Sequence, residues 1–223
     1  MKLFFSVLLS VFLLPVFAGK ISFSPFHPVS EYMTVQTPYL SCRFAKHHAF
    51  PVKIMLPGGK AVPWFGFADG IIRKSDGFSF RTEHDYWSKF KADPRQGTIE
   101  TRALFCRRVW KPHPQPLPGA EAVYLYRFSP DGKKMILSCM VKMKKDPDLK
   151  PLLLALRWPR DTAPRYRLSK DQKQAELVFP EIKIRLEADK LEISSDSQYL
   201  QISPGLQWQK EGVTARLVLS LQL

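Results

Sequence analysis

Residues 97–143 read GTIETRALFCRRVWKPHPQPLPGAEAVYLYRFSPDGKKMILSCMVKM, and the alternation in this stretch decides the fold class. From Gly97 to Trp110, Ile99, Ala103, Phe105 and Val109 fall on one side, while Glu100, Arg102, Arg108 and Trp110 fall on the other. Successive side chains of a strand point to opposite faces, so this segregation at a period of two predicts a half-buried strand. Glu121 to Phe128 alternates in the same way, with Val123, Leu125 and Arg127 opposite Tyr124, Tyr126 and Phe128. Ser129-Pro130-Asp131-Gly132 then supplies a turn, because Pro presets φ and Gly accepts a positive φ. Lys133 to Met143 returns with Met135, Leu137, Cys139, Val141 and Met143 on one face. These segments predict a hairpin beside a third strand.

Short strands are expected on either side of it: Leu40–Phe44, Val52–Leu56, Val62–Phe67, Phe78–Arg81, Leu152–Trp158, Ala175–Phe179, Ile182–Leu186, Leu191–Ser194, Tyr199–Ile202 and Val213–Leu221. Pro57-Gly58-Gly59-Lys60 reads as a hairpin turn. Only Asp85 to Ala92 has helical spacing. Phe23 to Pro38 and the four-proline stretch Lys111 to Gly119 read as irregular, the second as an exposed connector, since Pro cannot donate to a ladder. No internal repeat and no linker stand out. Many strands with regular turns and little helix predict an all-β, antiparallel β-sandwich.

Within this pattern, Ala122 to Pro159 runs as strand, turn, long strand, an Asp146-Pro147-Asp148 break, then Leu152-Leu153-Leu154-Ala155-Leu156 ending in Arg157-Trp158-Pro159. That order resembles the galactose-mutarotase-like sandwiches of carbohydrate-active enzymes and polysaccharide lyases. The resemblance spans about forty residues, is one of strands and turns, and brings no catalytic motif; it implies a glycan partner and no residue roles.

The compartment is read from the first eighteen residues. Met1-Lys2 gives a positive start, Leu3 to Phe17 is almost wholly apolar, and Val16-Phe17-Ala18 places small residues at a cleavage site before Gly19. This is the layout of a signal peptide, 1–18, followed by one domain over 19–223. The apolar run is shorter than the roughly 20 residues of a spanning helix. The expected location is therefore outside the cytoplasm (periplasmic, cell-surface or secreted), with no transmembrane span after cleavage.

The formal net charge is +14, unevenly spread: residues 133–170 hold eleven Lys or Arg against three Asp, whereas residues 171–223 hold six basic against eight acidic residues. A concentrated positive region captures anions. For an exported protein these are acidic polysaccharides and envelope polyanions; nucleic acid is not an expected partner, because no recognition motif is present. Three cysteines, Cys42, Cys106 and Cys139, allow at most one disulfide. Strand parity buries Cys139 and puts Cys106 on the face of Glu100, Arg102 and Arg108.

Arg102, Arg108 and Trp110 share one face of one expected strand and form the leading ligand-binding group. Guanidinium groups fork onto carboxylate or sulfate oxygens, and an indole offers a stacking platform. Lys142 and Lys144 extend the patch. Glu83-His84-Asp85 beside Tyr86-Trp87 is the other cluster, with His84 and Trp87 as ligand contacts and His84, Glu83 or Glu100 as acid or base if the protein is an enzyme. Glu83 and Asp85 equally suit the first turn of a helix. The five histidines show no metal-binding spacing, no phosphate loop or GxSxG elbow occurs, and no metal or cofactor is expected. The functional expectation is a binding or accessory module for acidic glycans or other polyanions. A polysaccharide lyase or hydrolase, and a structural or assembly protein of the cell envelope, are the alternatives.

Overall fold

The computed structural model describes residues 21–29, 31–45, 49–55, 66–82, 85, 88–107, 114–179 and 182–222. The leader read in the sequence, the Pro57–Lys60 turn and most of the strand expected at Val62–Phe67 lie outside them. Among the described residues there are antiparallel strands, no α-helix, and a 3-10 turn at Arg160–Thr162.

The strands build three sheets. Four form the first: β1 (Ser22–Phe23), β2 (Tyr32–Gln36), β3 (Ser41–Ala45) and β4 (Pro51–Met55), in that order. Five form the second, in the order β15-β16-β11-β5-β6, from β5 (Gly66–Arg73), β6 (Ser79–Phe80), β11 (Leu149–Pro159), β15 (Leu191–Ser195) and β16 (Tyr199–Pro204). The third contains β7 (Lys89–Asp93), β8 (Thr98–Arg107), β9 (Gln115–Phe128), β10 (Lys134–Lys142), β12 (Arg165–Leu168), β13 (Gln174–Val178), β14 (Lys183–Glu187), β17 (Gln207–Gln209) and β18 (Gly212–Gln222). Its order is β12-β13-β14-β18-β10-β9-β8-β7, with β17 on β18.

The nine-stranded sheet turns its apolar parity inward against both smaller sheets. Tyr126 meets the Phe44 ring of β3 edge-on at 5.2 Å, and Phe128 meets Phe23 of β1 at 6.3 Å. Tyr124 reaches Asp69 of β5. Met135, Leu137, Val141, Leu217 and Leu219 are fully buried in one continuous apolar cluster with Leu153, Leu156 and Trp158 of β11. Each fully buried side chain of this size contributes about 1.5–3 kcal/mol of transfer free energy, which makes the inward parity decisive for register.

The expected hairpin forms with Ser129–Gly132 at its tip. Gly132 has φ +70°, and Ser129 Oγ accepts from the Lys134 amide at 2.9 Å. Forty residues on, β12 and β13 close through the same chemistry. Ser169 Oγ donates to Asp171 at 2.6 Å and accepts from the Gln174 amide at 3.0 Å, while Gln172 takes the positive φ. Tyr126-Arg127-Phe128-Ser129-Pro130-Asp131-Gly132-Lys133 and Tyr166-Arg167-Leu168-Ser169-Lys170-Asp171-Gln172-Lys173 are therefore a hairpin repeat that the sequence reading passed over.

Several expectations are corrected. Lys89–Asp93, inside the stretch with helical spacing, is an edge strand on β8, with Phe90 against the Phe26 and Phe44 rings. Pairing with an open sheet edge outweighs weak local helical spacing. The supposed irregular stretch Phe23–Pro38 contains β2 and the end of β1. Gln115–Gly119 belongs to β9 rather than to a connector. Its prolines are tolerated because pairing with β10 begins only at Glu121 and pairing with β8 is interrupted between Leu104 and Cys106. The odd step at that interruption lies in β9, and Cys106 is buried where the β8 backbone also bridges to Arg81. The segment Ala122 to Pro159 runs as β9, turn, β10 and β11, with β11 in the five-stranded sheet.

Candidate functional site

The side of the nine-stranded sheet that faces away from the core is cationic. Cross-strand partners point the same way, so the register defines rows on this face. Lys89, Arg102, Val123, Met140, Thr214 and Gln207 form one, and Lys91, Glu100, Leu125, Ser138 and Arg216 the next. Among the described residues this face carries eleven Lys or Arg against five Asp or Glu. Three of the cations are paired on the face itself: Arg102 with Glu100 at 2.9 Å, Arg185 with Glu187 at 3.0 Å and Lys183 with Glu176 at 3.9 Å. Exposed pairs of this kind contribute about 0.2–1 kcal/mol each and leave a net positive field over the face.

At one end of β9 and β10 lies a cleft of about 650 Å³. Leu117 to Ala120, at the interruption in β8–β9 pairing, form one wall. Lys142, Met143 and Lys144 contribute the end of β10, and Asp146 and Leu149 the approach to β11. Lys210 and Glu211 come from the turn between β17 and β18. None of the three ammonium groups lies within 4.0 Å of a carboxylate among the described residues, so all three remain available to a ligand. Beside the cleft, Lys145 holds its ammonium 5.9 Å from the centre of the Trp208 ring. The arrangement presents separated, hydrated point charges, an apolar wall and one indole. It suits a chain of anionic groups better than a single buried anion.

Of the residues singled out from sequence, Lys142 and Lys144 are in this cleft. Arg102 is on the same face but two strands from β10, roughly 12 Å from Lys142 by strand spacing and rise. Its guanidinium is held by Glu100, which satisfies part of the fork expected to meet a ligand and also occupies the carboxylate considered as an acid or base. Arg108, Trp110, Glu83, His84 and Trp87 lie outside the described residues. The sequence reading missed Lys210, Trp208, Asp146 and Glu211. The only available signal was the polar turn Gln209-Lys210-Glu211-Gly212 between two alternating stretches.

The interior holds a polar cluster between the layers. Tyr124 and the Thr82 hydroxyl both donate to Asp69 Oδ2, and the Thr82 amide donates to Asp69 Oδ1 at 3.3 Å. Burial pushes the Tyr124 and Tyr126 phenols well above their ordinary range, so both remain protonated donors. The three cysteines are free thiols and buried. Burial raises Cys42 and Cys139 and pushes Cys106 up to about 11, which leaves no thiolate for nucleophilic chemistry near neutrality. Among the described residues no three His, Cys, Asp or Glu side chains are grouped to hold a metal ion. No helix among them is long and apolar enough to cross a membrane.

No family model matches the chain, and no curated protein does. Among solved structures it is similar to the 4-alpha-glucanotransferase from Thermococcus litoralis, at 10% identity and a TM-score of 0.48, over 92% of this chain and 39% of that one. The chain thus spans about two-fifths of the length of that structure, and at this level of similarity nothing about activity or substrate follows.

Proposed function

We propose that the protein acts outside the cytoplasm as a binding or accessory module for acidic glycans or similar polyanions. The observation that supports this reading is the lysine cleft: Lys142, Lys144 and Lys210, without an ion-pair partner among the described residues, surround an open, partly apolar trough on a protein whose outer sheet face is net positive. Spaced ammonium groups attract a polymer through its summed charge, and the Trp208 edge offers a surface to a sugar ring. The capture is long-ranged only while screening is weak, since the Debye length falls from about 30 Å at 0.01 M salt to about 8 Å at 0.15 M.

The test is retention on immobilised heparin, alginate and polygalacturonate, with dextran as the neutral control. The protein should bind the acidic resins at low salt, pass through dextran, and elute at lower salt once Lys142→Glu, Lys144→Glu and Lys210→Glu are combined. Passage through every acidic resin at low ionic strength discards the reading. So does a triple variant that elutes with the parent. Release of reducing ends or unsaturated product from a bound polymer would replace it with a glycan-active enzyme.

A further inference from the structure

The outer face holds a second concavity, built by a change of partner along one edge of β18. Its first residues pair with β17 and its last with β14; between them the Asp189 and Gly205 turns approach the sheet. The result is a groove of about 340 Å³, at the lower end of the size of small-molecule sites. Val123 and Leu125 of β9 and Met140 of β10 make an aliphatic floor, with Met140 39% exposed. At the side stands Arg216, exposed, with no carboxylate within 4.0 Å and no hydrogen-bond partner among the described residues. The other charged group there, Asp189, accepts a hydrogen bond from the Gln207 side-chain amide.

An aliphatic floor beside one unpaired guanidinium matches neither of the simpler ligand types. A small hydrophilic anion would leave the floor wet, and a neutral hydrocarbon would leave the guanidinium unused. Among the described residues no aromatic ring lines the groove to offer the flat stacking surface a sugar prefers. We propose that this groove binds one free amphiphilic monoanion, a medium-chain carboxylate with its chain along Val123, Leu125 and Met140 and its head on Arg216. Taking about 30 Å³ per heavy atom, as in liquid water, the volume accommodates a body of roughly eight carbons with its head group. The site shares no residue with the lysine cleft and does not rest on the polyanion reading.

The test uses the full chain labelled with ¹³C-methyl methionine and titrated by NMR with octanoate, octanol and acetate. The Met140 methyl should shift saturably with octanoate and not respond to acetate. Arg216→Gln, a substitution of an exposed side chain that leaves the core intact, should weaken octanoate about tenfold and leave octanol unchanged. Leu125→Asn should weaken both. A Met140 methyl that stays fixed up to about 10 mM octanoate, weaker than any useful site, overturns the proposal, as does equal octanoate affinity in Arg216→Gln. A shift caused by anionic phospholipid vesicles but not by octanoate gives the groove to a membrane and overturns it. So does a shift that follows protein concentration alone, which marks a second copy as the occupant.

Discussion

Tyr124 and Tyr126 form a matched pair in the interior. Both lie on β9, both are fully buried, and their rings stack at 6.5 Å with planes 12° apart. They differ in what the hydroxyl meets. Tyr124 donates to the Asp69 carboxylate, whereas Tyr126 donates to the Ala49 carbonyl at 2.7 Å. Replacement by Phe removes one oxygen and leaves the ring packing, so the cost is dominated by the lost hydrogen bond. A bond to a charged acceptor contributes about 1.5–3 kcal/mol, and one to a neutral carbonyl about 0.5–1.5 kcal/mol. The Ala49 carbonyl also keeps the Thr101 hydroxyl at 2.7 Å, which places Tyr126→Phe toward the low end. At about 2–4 °C per kcal/mol for a chain of this length, Tyr124→Phe should lower Tm by roughly 3–12 °C and Tyr126→Phe by roughly 1–6 °C. Thermal unfolding followed by circular dichroism, with urea titration to confirm an unchanged m value, measures both. Because neither phenol ionises near neutrality, the difference should hold from pH 6 to pH 9. A neutral Tyr124→Phe, or a Tyr126→Phe that costs as much, would refute the idea that the charge on Asp69 sets the penalty.

Two further outcomes are expected. A Cβ added at Gly212 would overlap the Val141 carbonyl oxygen and stand 3.2 Å from Lys142 Cα, both backbone atoms. Gly212→Ala should therefore cost about 3 kcal/mol, with early loss of β10–β18 amide protection in hydrogen exchange. The three thiols should be silent to a thiol-reactive disulfide at pH 8 in the native protein and all react in guanidinium; one fast native thiol would contradict the burial of Cys42, Cys106 and Cys139.

The sheet at β8–β10 was legible because its two parities differ so sharply in polarity. Ile99, Tyr124, Leu137 and Val141 can only face inward, and Arg102, Arg127 and Lys142 only outward. Legibility failed where pairing departs from strict alternation. The extra residues of β9 between Pro116 and Glu121, opposite Leu104 to Cys106, break its alternation, and no composition cue marks them. β7 was hidden because Lys89-Phe90-Lys91-Ala92-Asp93 is an edge strand with one apolar anchor. In the cleft, Lys142 and Lys144 were visible as outward lysines at the end of a strand. Lys210 and Trp208 come from more than sixty residues downstream, and only the β17–β18 register brings them alongside. The Arg102–Glu100 pair could have been read from the sequence, since residues two apart on a strand share a side.

β18 sits between β10 and β14, and without it β7–β10 and β12–β14 are two separate ribbons with raw edges. Met135 waits for Leu219, a partner more than eighty residues further along the chain. Such distant closures are slow to form, because the loop must be ordered before the ladder rewards it. Before that closure, the edges of β10 and β14 that face β18 are the ones another strand could pair with. Lys134 and Lys142 on β10 and Lys183 and Arg185 on β14 line those edges, and charge of one sign along an edge disfavours pairing with another chain.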